Sequence, residues 1–463
     1  MFKASTYVER RKKLRELIKT GIVLIPGNDE SPMNYTDNTY HYRQDSSFLY
    51  YFGIDFPGLV GIIDADEGKD YIFGNDYTID DIVWMGPQPT IKYRSSLAGI
   101  ENSAPVKEAD SFIAAALSKG RKIHYLPQYR GDNVIKLHQW LGISPAEVYK
   151  NYSVELVKCV VSQRNIKTEE EVEEINKAAV LSAEMHLAAM RYARPGMTEN
   201  EVMAKVHQTA LAGGGNLSFP IIATKNGQTL HNHYYGNTLE EGQMFLLDSG
   251  AEVESHYCGD LSSTFPVGKK FTERQKEVYN ISLGAHNHAV SLLKPGVKFR
   301  DIHLSTCRFI AEGMKGMGFM KGNLDDAVHE GAHAMFFPCG LGHMMGLDVH
   351  DMENLGEVYV GYGGEAKSTL FGLKSLRLGR ELQPGFVITI EPGIYFIPEL
   401  MDKWRSEKKF MEFLNYDRLE EYKNFGGCRN EEDYLITSDG ARLLGKELPK
   451  TVEKIEAERE KAF

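Results

Sequence analysis

Apolar residues recur along the first third of the chain in short runs: "GIVLIPG", "FLYYFG", "GLVGIID", "DYIFG" and "KIHYLP". Charged, helix-patterned stretches separate them. Runs of this length bounded by turn residues predict strands, and their alternation with helical patterns predicts an α/β domain. The opening stretch, "MFKASTYVERRKKLRELIKTG", is charged throughout and predicts a surface helix. Near Gln163 the pattern changes. "RNIKTEEEVEEINKAAVLSAEMHLAAMRYARPGMT" predicts one long helix, with Thr168 and Glu171 at capping-box spacing and Arg194-Pro195-Gly196 ending it. A domain boundary is expected just before that helix, dividing the chain into residues 1–163 and 164–463. The second part mixes helices with strands such as "MFLLDSGAEV" and "FVITIEPGIYFI". The fold class expected for the whole is α+β.

Composition changes this picture mainly by exclusion. With 53 Lys and Arg against 64 Asp and Glu, the net charge is −11. No basic surplus exists to neutralise phosphates, so nucleic acid is not an expected partner. No run approaches the roughly eighteen apolar residues a membrane span needs. The N-terminus lacks the apolar core of a secretory signal. The five cysteines, at 159, 258, 307, 339 and 428, form no CxxC pair. Reduced thiols in a cytoplasmic protein are the expectation.

The candidate chemistry lies where carboxylates border apolar strands. In "FLLDSGAEVESHYCGDLSSTFPV", Asp248 follows three apolar residues and Asp260 comes twelve positions later. An even spacing puts both on one face of a hairpin, and a turn near Glu254 would set them directly opposite each other. Two ionised carboxylates so placed require a shared proton or a cation. Each aspartate, taken alone, is equally well a turn residue. Glu391 ends the buried run "FVITI"; it too has a competing reading, as a strand-end residue at the Pro392-Gly393 turn. In "FGGCRNEEDYLIT" the triplet Glu431, Glu432 and Asp433 taken alone suggests a solvated edge.

"GLGHMMGLDVHD" adds two histidines, His343 and His350, seven residues apart. On one regular strand they would face opposite ways, and the glycines disfavour a helix. Two aspartates, two glutamates and one histidine form an oxygen-rich ligand set that suits two divalent cations, with Mn²⁺ favoured and Zn²⁺ or Co²⁺ able to compete. A rival pattern, "HEGAH" from His329 to His333, matches the HExxH zincin signature. Gly331 weakens the helix that signature needs, and no third zincin ligand follows.

"LLDSGAE", "GDLSSTFPV", "GLGHMMGLDVHD", "TIEPGIY" and "FGGCRNEED" closely resemble, in order, the motifs of the aminopeptidase P and prolidase family. "HYRQDSSFLYYFGIDFPG" is similar to that family's N-terminal domain, and "TVEKIEAE" to prolidase C-termini. The resemblance implies a C-terminal pita-bread fold of two pseudo-symmetric halves, a dinuclear metal centre and a dimer or larger assembly. It implies that Asp248 holds one metal, that Asp260 and Glu431 bridge both, and that His343 and Glu391 bind the second. It assigns His350 to the tetrahedral intermediate, His231 in "NGQTLHNHYY" to the substrate side, and Arg429 to support of the last ligand. Glu391 would also relay a proton to the departing nitrogen.

The implied activity is hydrolysis of the bond between an N-terminal residue and proline. Two activities compete within the family: aminopeptidase P accepts longer peptides, whereas prolidase grips the free carboxylate of a dipeptide. "LKSLRLGRELQPG" resembles the prolidase segment with the gripping arginine, which falls on Arg377; the competing reading is a surface arginine beside Lys374 and Arg380. Short peptides and dipeptides are the expected substrates. Metal-free pita-bread binding modules and creatinase-like hydrolases are disfavoured, because all five ligand positions hold ligand-competent residues. Asn430 departs from the apolar residue usual there, a segment around Glu353 to Thr369 is longer than in many relatives, and His233 competes with His231.

Overall fold

The computed structural model describes residues 2–463, which divide into two compact units. Among these, unit 1 comprises residues 2–164 together with 352–359; unit 2 comprises 165–351 and 360–463. The chain thus leaves unit 2 for eight residues and returns.

Unit 1 is built on a five-stranded sheet. Its strands are β1 (Ile22–Pro26), β2 (Val60–Asp64), β3 (Lys69–Phe73), β4 (Asn102–Ala104) and β5 (Ile123–His124), in the order β4-β3-β2-β1-β5. β1–β2 and β2–β3 are antiparallel, while β3–β4 and β1–β5 are parallel. β1 and β2 are buried along their whole length, as strands covered on both faces must be. Ile22, Leu24, Val60 and Ile62 on one face pack with Ile113, Val134 and Leu137 of the helices. The first helix, α1 (Ala4–Ile18), departs from the surface helix its charges predict. It buries Tyr7, Arg10, Arg11, Leu14 and Ile18. Arg11 is tolerated inside because its guanidinium donates to Asp70 at 2.7 Å and to the carbonyls of Tyr51 and Ala98 at 2.8 and 2.9 Å. By contrast, the short helix α2 (Ile79–Met85) buries no residue, and Ile79, Val83, Trp84 and Met85 stand exposed.

Unit 2 repeats one arrangement: a helix pair, then strands. The first pair is α3 (Glu169–Tyr192) and α4 (Glu199–Ala212); the second is α5 (Glu273–Ser291) and α6 (Phe299–Gly316). Thr168 and Glu171 form the predicted capping box at the start of α3. Each pair turns through a Pro-Gly step, with Gly196 at φ 90° and Gly296 at φ 84°, a backbone region that glycine enters without penalty. Strands β6 (Asn216–Leu217) and β9 (Ala251–Glu252) pair with each other. β7 (Ile222–Thr224), β8 (Met244–Ser249) and β10 (Leu261–Pro266) form a sheet in the order β10-β8-β7. In the second half, β11 (Val387–Ile390), β14 (Glu432–Ile436) and β15 (Ala441–Leu443) form a sheet in the order β11-β14-β15, and β12 (Gly393–Tyr395) pairs with β13 (Gly427–Arg429). A bridge between Ser262 and Glu431 ties the two halves together. Among the described residues, no helix is long and apolar enough to cross a membrane.

The β8–β10 register corrects one expectation. Ser262, not Asp260, lies opposite Asp248, and the pairing continues through Glu252 and Cys258. The turn is therefore centred one residue later than Glu254, with His256 at φ 67°. Asp248 and Asp260 share a face, but as diagonal neighbours.

Candidate metal centre and substrate pocket

Five strand ends and loops converge on one cavity of about 590 Å³ in unit 2. Asp248 reaches it from the end of β8, Asp260 from the residue before β10, Glu391 from the residue after β11, and Glu431 from between β13 and β14. His343 comes from the glycine-rich loop. That loop is neither strand nor helix, but it is fixed to β11. The His343 amide donates to Thr389 Oγ1 at 3.1 Å, and the Thr389 amide donates back to the His343 carbonyl at 3.1 Å. Gly342 makes this approach possible, since a Cβ there would overlap the Thr389 carbonyl oxygen. Met344 and Ile388 complete the bridge.

The ligand-type atoms are close together and buried. Asp260, His343 and Glu431 can bring one atom each within 4.8 Å of the others. His343 Nε2 lies 3.3 Å from Asp260 Oδ2 and 3.8 Å from Glu391 Oε1. His343 Nδ1 faces the Met344 carbonyl at 3.1 Å; with the proton placed there, Nε2 presents its lone pair to the carboxylates. Asp248 Oδ1 and Asp260 Oδ1 are buried without a hydrogen-bond partner. Buried carboxylate oxygens with nothing to accept from are costly, and a cation removes the cost.

Electrostatics point the same way. Burial, then the charges of Glu431, Asp248, Asp433 and Glu391, hold the Asp260 carboxyl well above its ordinary range. Burial and the neighbouring carboxylates do the same to Glu431. Burial raises Glu391 to about 7 despite the opposing pull of Arg429 and His350. Burial also pushes the His343 ring well down. Protein charges alone thus leave this cluster short of positive charge, and the donor set fits divalent cations.

Arg429 organises one side. Its Nη2 donates to Asp248 Oδ2, its Nη1 donates to the Tyr395 hydroxyl at 2.9 Å, and its Nε donates to Ser262 Oγ at 2.9 Å. Ser262 in turn donates to Glu431 Oε2 at 2.5 Å. One guanidinium therefore orients two of the candidate ligands. Ser262 and Tyr395 lie within the quoted stretches "GDLSSTFPV" and "TIEPGIY" without being singled out there; for Ser262 the signal is a hydroxyl directly across the strand pair from Asp248. Asp433, read earlier as part of a possible solvated edge, is fully buried and accepts from the Asp260 amide at 3.1 Å. Glu432 is buried as well, accepting from Tyr434 and paired with Lys450. Asn430 is accommodated because Tyr279 donates to its side-chain oxygen at 2.8 Å and its amide nitrogen donates to Ser282.

The two histidines of "GLGHMMGLDVHD" meet: the ring centroids of His343 and His350 are 4.0 Å apart. The loop turns back on itself after Gly346, and Asp351, held by Lys167 at 2.8 Å in a fully buried pair, anchors its end. His231, His233, His350 and Arg377 line the same cavity, with Phe219, Pro220, Leu230, Val349 and Phe371 as its apolar wall. The charges of Arg429, Asp248, Arg377 and His350 all act on His231, whose ring burial pushes its pKa down. The Arg377 backbone is seated against the glycine loop, since a Cβ on Gly340 would lie 3.0 Å from Leu376 Cα and 3.6 Å from Arg377 N. Lys374, by contrast, is exposed. All nine site residues singled out in the sequence thus border one cavity. "HEGAH" does not contribute to it.

Residues 173–438 match the model of metallopeptidase family M24, and residues 7–124 match the N-terminal domain of aminopeptidase P. The chain belongs to metallopeptidase family M24. Within that family its relatives are proline-directed: it is 34% identical to human Xaa-Pro dipeptidase, the match covering 97% of this chain and 90% of the human enzyme. It is 29% identical to a probable Xaa-Pro aminopeptidase of Aspergillus fumigatus, over 94% of this chain and 92% of the fungal one. Among solved structures, an Escherichia coli aminopeptidase P in complex with substrate superimposes with a TM-score of 0.81 at 26% identity, covering 100% of this chain and 99% of that one. The Pseudomonas aeruginosa aminopeptidase gives 0.82 at 25%, with the same coverage. The family implies divalent metal ions, and the cluster described above is of the right chemistry to hold them.

Proposed function

We propose that this metallopeptidase hydrolyses the bond between an N-terminal residue and a following proline, with short peptides and Xaa-Pro dipeptides preferred. One observation carries the reading: four buried ligand-type side chains and the half-buried Glu391, short of positive charge, face an apolar-walled cavity that also holds two substrate-side histidines and an arginine. Its volume is in the range of small-ligand sites.

Asp248, Asp260, His343, Glu391 and Glu431 would hold two divalent cations, most readily Mn²⁺, with Zn²⁺ or Co²⁺ able to substitute. When bound, the cations supply Lewis-acid polarisation of the scissile carbonyl and acidify a water to near neutrality. The chain's own residues do the rest. Arg429 holds the Asp248 carboxylate in place and, through Ser262, sets the orientation of Glu431. The Met344 carbonyl selects the His343 tautomer. Glu391, at the cavity wall, accepts a proton from the attacking water and returns it to the proline nitrogen, which leaves as a secondary amine. His350, its ring tilted against that of His343, donates to the oxyanion as the carbonyl becomes tetrahedral. His231 flanks the substrate, and Arg377 meets the free carboxylate of a dipeptide. The apolar wall offers the proline ring a dry surface. An Xaa-Pro bond lacks the N–H that general peptidases hold, so a dedicated pocket is required.

The same reading includes a cytoplasmic location, in keeping with five free cysteines, and self-association into a dimer or larger assembly. Light scattering on the purified protein tests the latter. The decisive experiment is metal analysis with hydrolysis of Ala-Pro against Ala-Ala. Two ions per Mn²⁺-loaded chain and cleavage confined to Ala-Pro are expected. One ion per chain, unaffected by Asp248→Ala, would overturn the dinuclear centre.

A further inference from the structure

The histidines of "HEGAH" have a different fate from the one their pattern suggests. Helix α7 (Leu324–Glu330) ends at Gly331, which adopts φ 92°. His329 is left exposed on the helix, while His333 falls in the following 3₁₀ turn, Ala332–Met335, and is 1% exposed. There it meets His303 and Cys307, one turn apart on the same face of α6 and both fully buried. Cys307 Sγ lies 3.4 Å from His303 Nε2, and one candidate ligand atom from each of the three residues falls within 4.8 Å of the others. Ligands of a shared three-coordinate ion with ordinary metal–sulfur and metal–nitrogen lengths stand roughly 3.5–3.8 Å apart. Small side-chain rotations would close the remaining gap.

The polar groups here are under-used. Both ring nitrogens of His333 and Nδ1 of His303 are buried without a hydrogen-bond partner. The Val328 carbonyl lies toward His333 but outside bonding geometry. Burial holds both rings neutral, at about 3 for His303 and about 4 for His333. An unprotonated imidazole nitrogen with nothing to accept from is a free lone pair. Among the described residues, the groups acting on the three side chains are each other, the Val328 carbonyl and Cys339; no carboxylate or cationic side chain is among them. Phe337 packs on the His303 ring at 5.5 Å.

We propose that His303, Cys307 and His333 form a second metal site, separate from the carboxylate centre, for a single thiophilic d¹⁰ cation, with Cu⁺ as the charge-matched occupant. A thiolate and two neutral imidazoles carry one negative charge. Cu⁺ makes the complex neutral, whereas Zn²⁺ would leave a net positive charge in an apolar interior with no carboxylate to balance it. Binding exchanges the Cys307 S–H bond for a metal–sulfur bond and releases one proton to solvent. The site would tie the turn at 332–335 to α6. That turn runs on to Pro338, Cys339 and Gly340 of the cavity wall.

The test uses Mn²⁺-loaded full-length protein, equilibrated anaerobically with Cu⁺ held by a competing chelator and, in parallel, with Zn²⁺. Copper content and X-ray absorption at the copper edge are measured. The proposal expects one tightly held copper per chain beyond the manganese, with one sulfur and two nitrogen neighbours. It also expects loss of that copper in Cys307→Ser and retention in Cys339→Ser. Should Cys307→Ser fail to fold, His333→Phe, a ring-for-ring exchange among aromatic neighbours, must also lose the copper. No copper retained against the chelator, undiminished copper in folded Cys307→Ser or His333→Phe, or a site filled by Zn²⁺ while Cu⁺ is excluded would each overturn it. Peptide hydrolysis plays no part in the readout, so the result stands apart from the fate of the peptidase reading.

Discussion

Glu391 and His350 both approach His343, and the structure gives them different work. Glu391 has a carboxyl oxygen 3.8 Å from His343 Nε2, whereas the His350 ring lies against the His343 ring and faces the cavity. Glu391→Gln removes a charged ligand and a proton acceptor together and is expected to lower kcat by at least ~100-fold. His350→Ala should keep both cations, by metal analysis, and lose rate instead; loss of an ion in that variant would make His350 a ligand. Arg377 decides substrate length. If its guanidinium pairs with proline's free carboxylate, the contact exists only for dipeptides and is worth ~1.5–3 kcal/mol, about 10- to 150-fold in kcat/KM. Arg377→Ala should weaken Ala-Pro hydrolysis by that much and barely change Ala-Pro-Ala. Equal losses on both would reduce Arg377 to a structural role.

Among the elements, the loop from Gly340 to Asp351 matters most, because its only regular pairing is with β11. Gly342→Ala must push the loop off the Thr389 carbonyl, separating His343 from Glu391. A stability loss of ~1–3 kcal/mol is expected from urea unfolding, together with weaker metal binding by calorimetry. An unchanged metal affinity would mean that His343 is held by something other than this contact. The loop also shows what sequence could and could not reveal. Glycines excluded a helix, and strand alternation would have sent the two imidazoles apart; only the turn after Gly346 and the Lys167–Asp351 pair bring them together. The aspartate hairpin was legible as a shared face, since an even spacing survives any turn. Its register was not, because His256 at positive φ moves the turn by one residue. "HEGAH" was legible as a decoy for a related reason: Gly331, which weakens the helix the signature needs, ends that helix between the two histidines.

For the molecule as a whole, acid should act partly through rings far from solvent. His186 on α3 is fully buried, between Ser263 Oγ at 2.6 Å and the Ser249 carbonyl at 3.1 Å, and burial lowers its pKa to about 4. In the unfolded chain it protonates near its ordinary value of about 6.5. Between those values the unfolded state binds the extra proton, so stability falls as pH drops from about 6.5 to 4, by roughly 3 kcal/mol for this one ring. His186→Asn, unable to titrate, should lose correspondingly less stability over that interval in urea unfolding followed against pH. Parallel curves for the two proteins would remove His186 from the account. The texture change near Gln163 lies beside Arg164, where the first segment of unit 1 ends. The return of residues 352–359 to unit 1 had no such signal, because eight residues are too few to carry a periodicity of their own.

The pair formed by Asp248 and Arg429 spans 181 positions of the chain. At ordinary rates of protein synthesis, about 5–20 residues per second, roughly 10 to 40 seconds separate the emergence of the aspartate from that of its guanidinium. Glu431 comes later still. During that interval a nascent β8–β10 hairpin holds two carboxylates on one face, with neither the arginine nor Glu431 yet made. Burying that face early would leave both acids unpaired, so the growing chain has reason to keep it wet or protonated until β13 arrives. The centre is therefore among the last parts of the molecule to become native, and a ribosome that stalls shortly before residue 429 leaves a chain with most of its core and no means of closing its site.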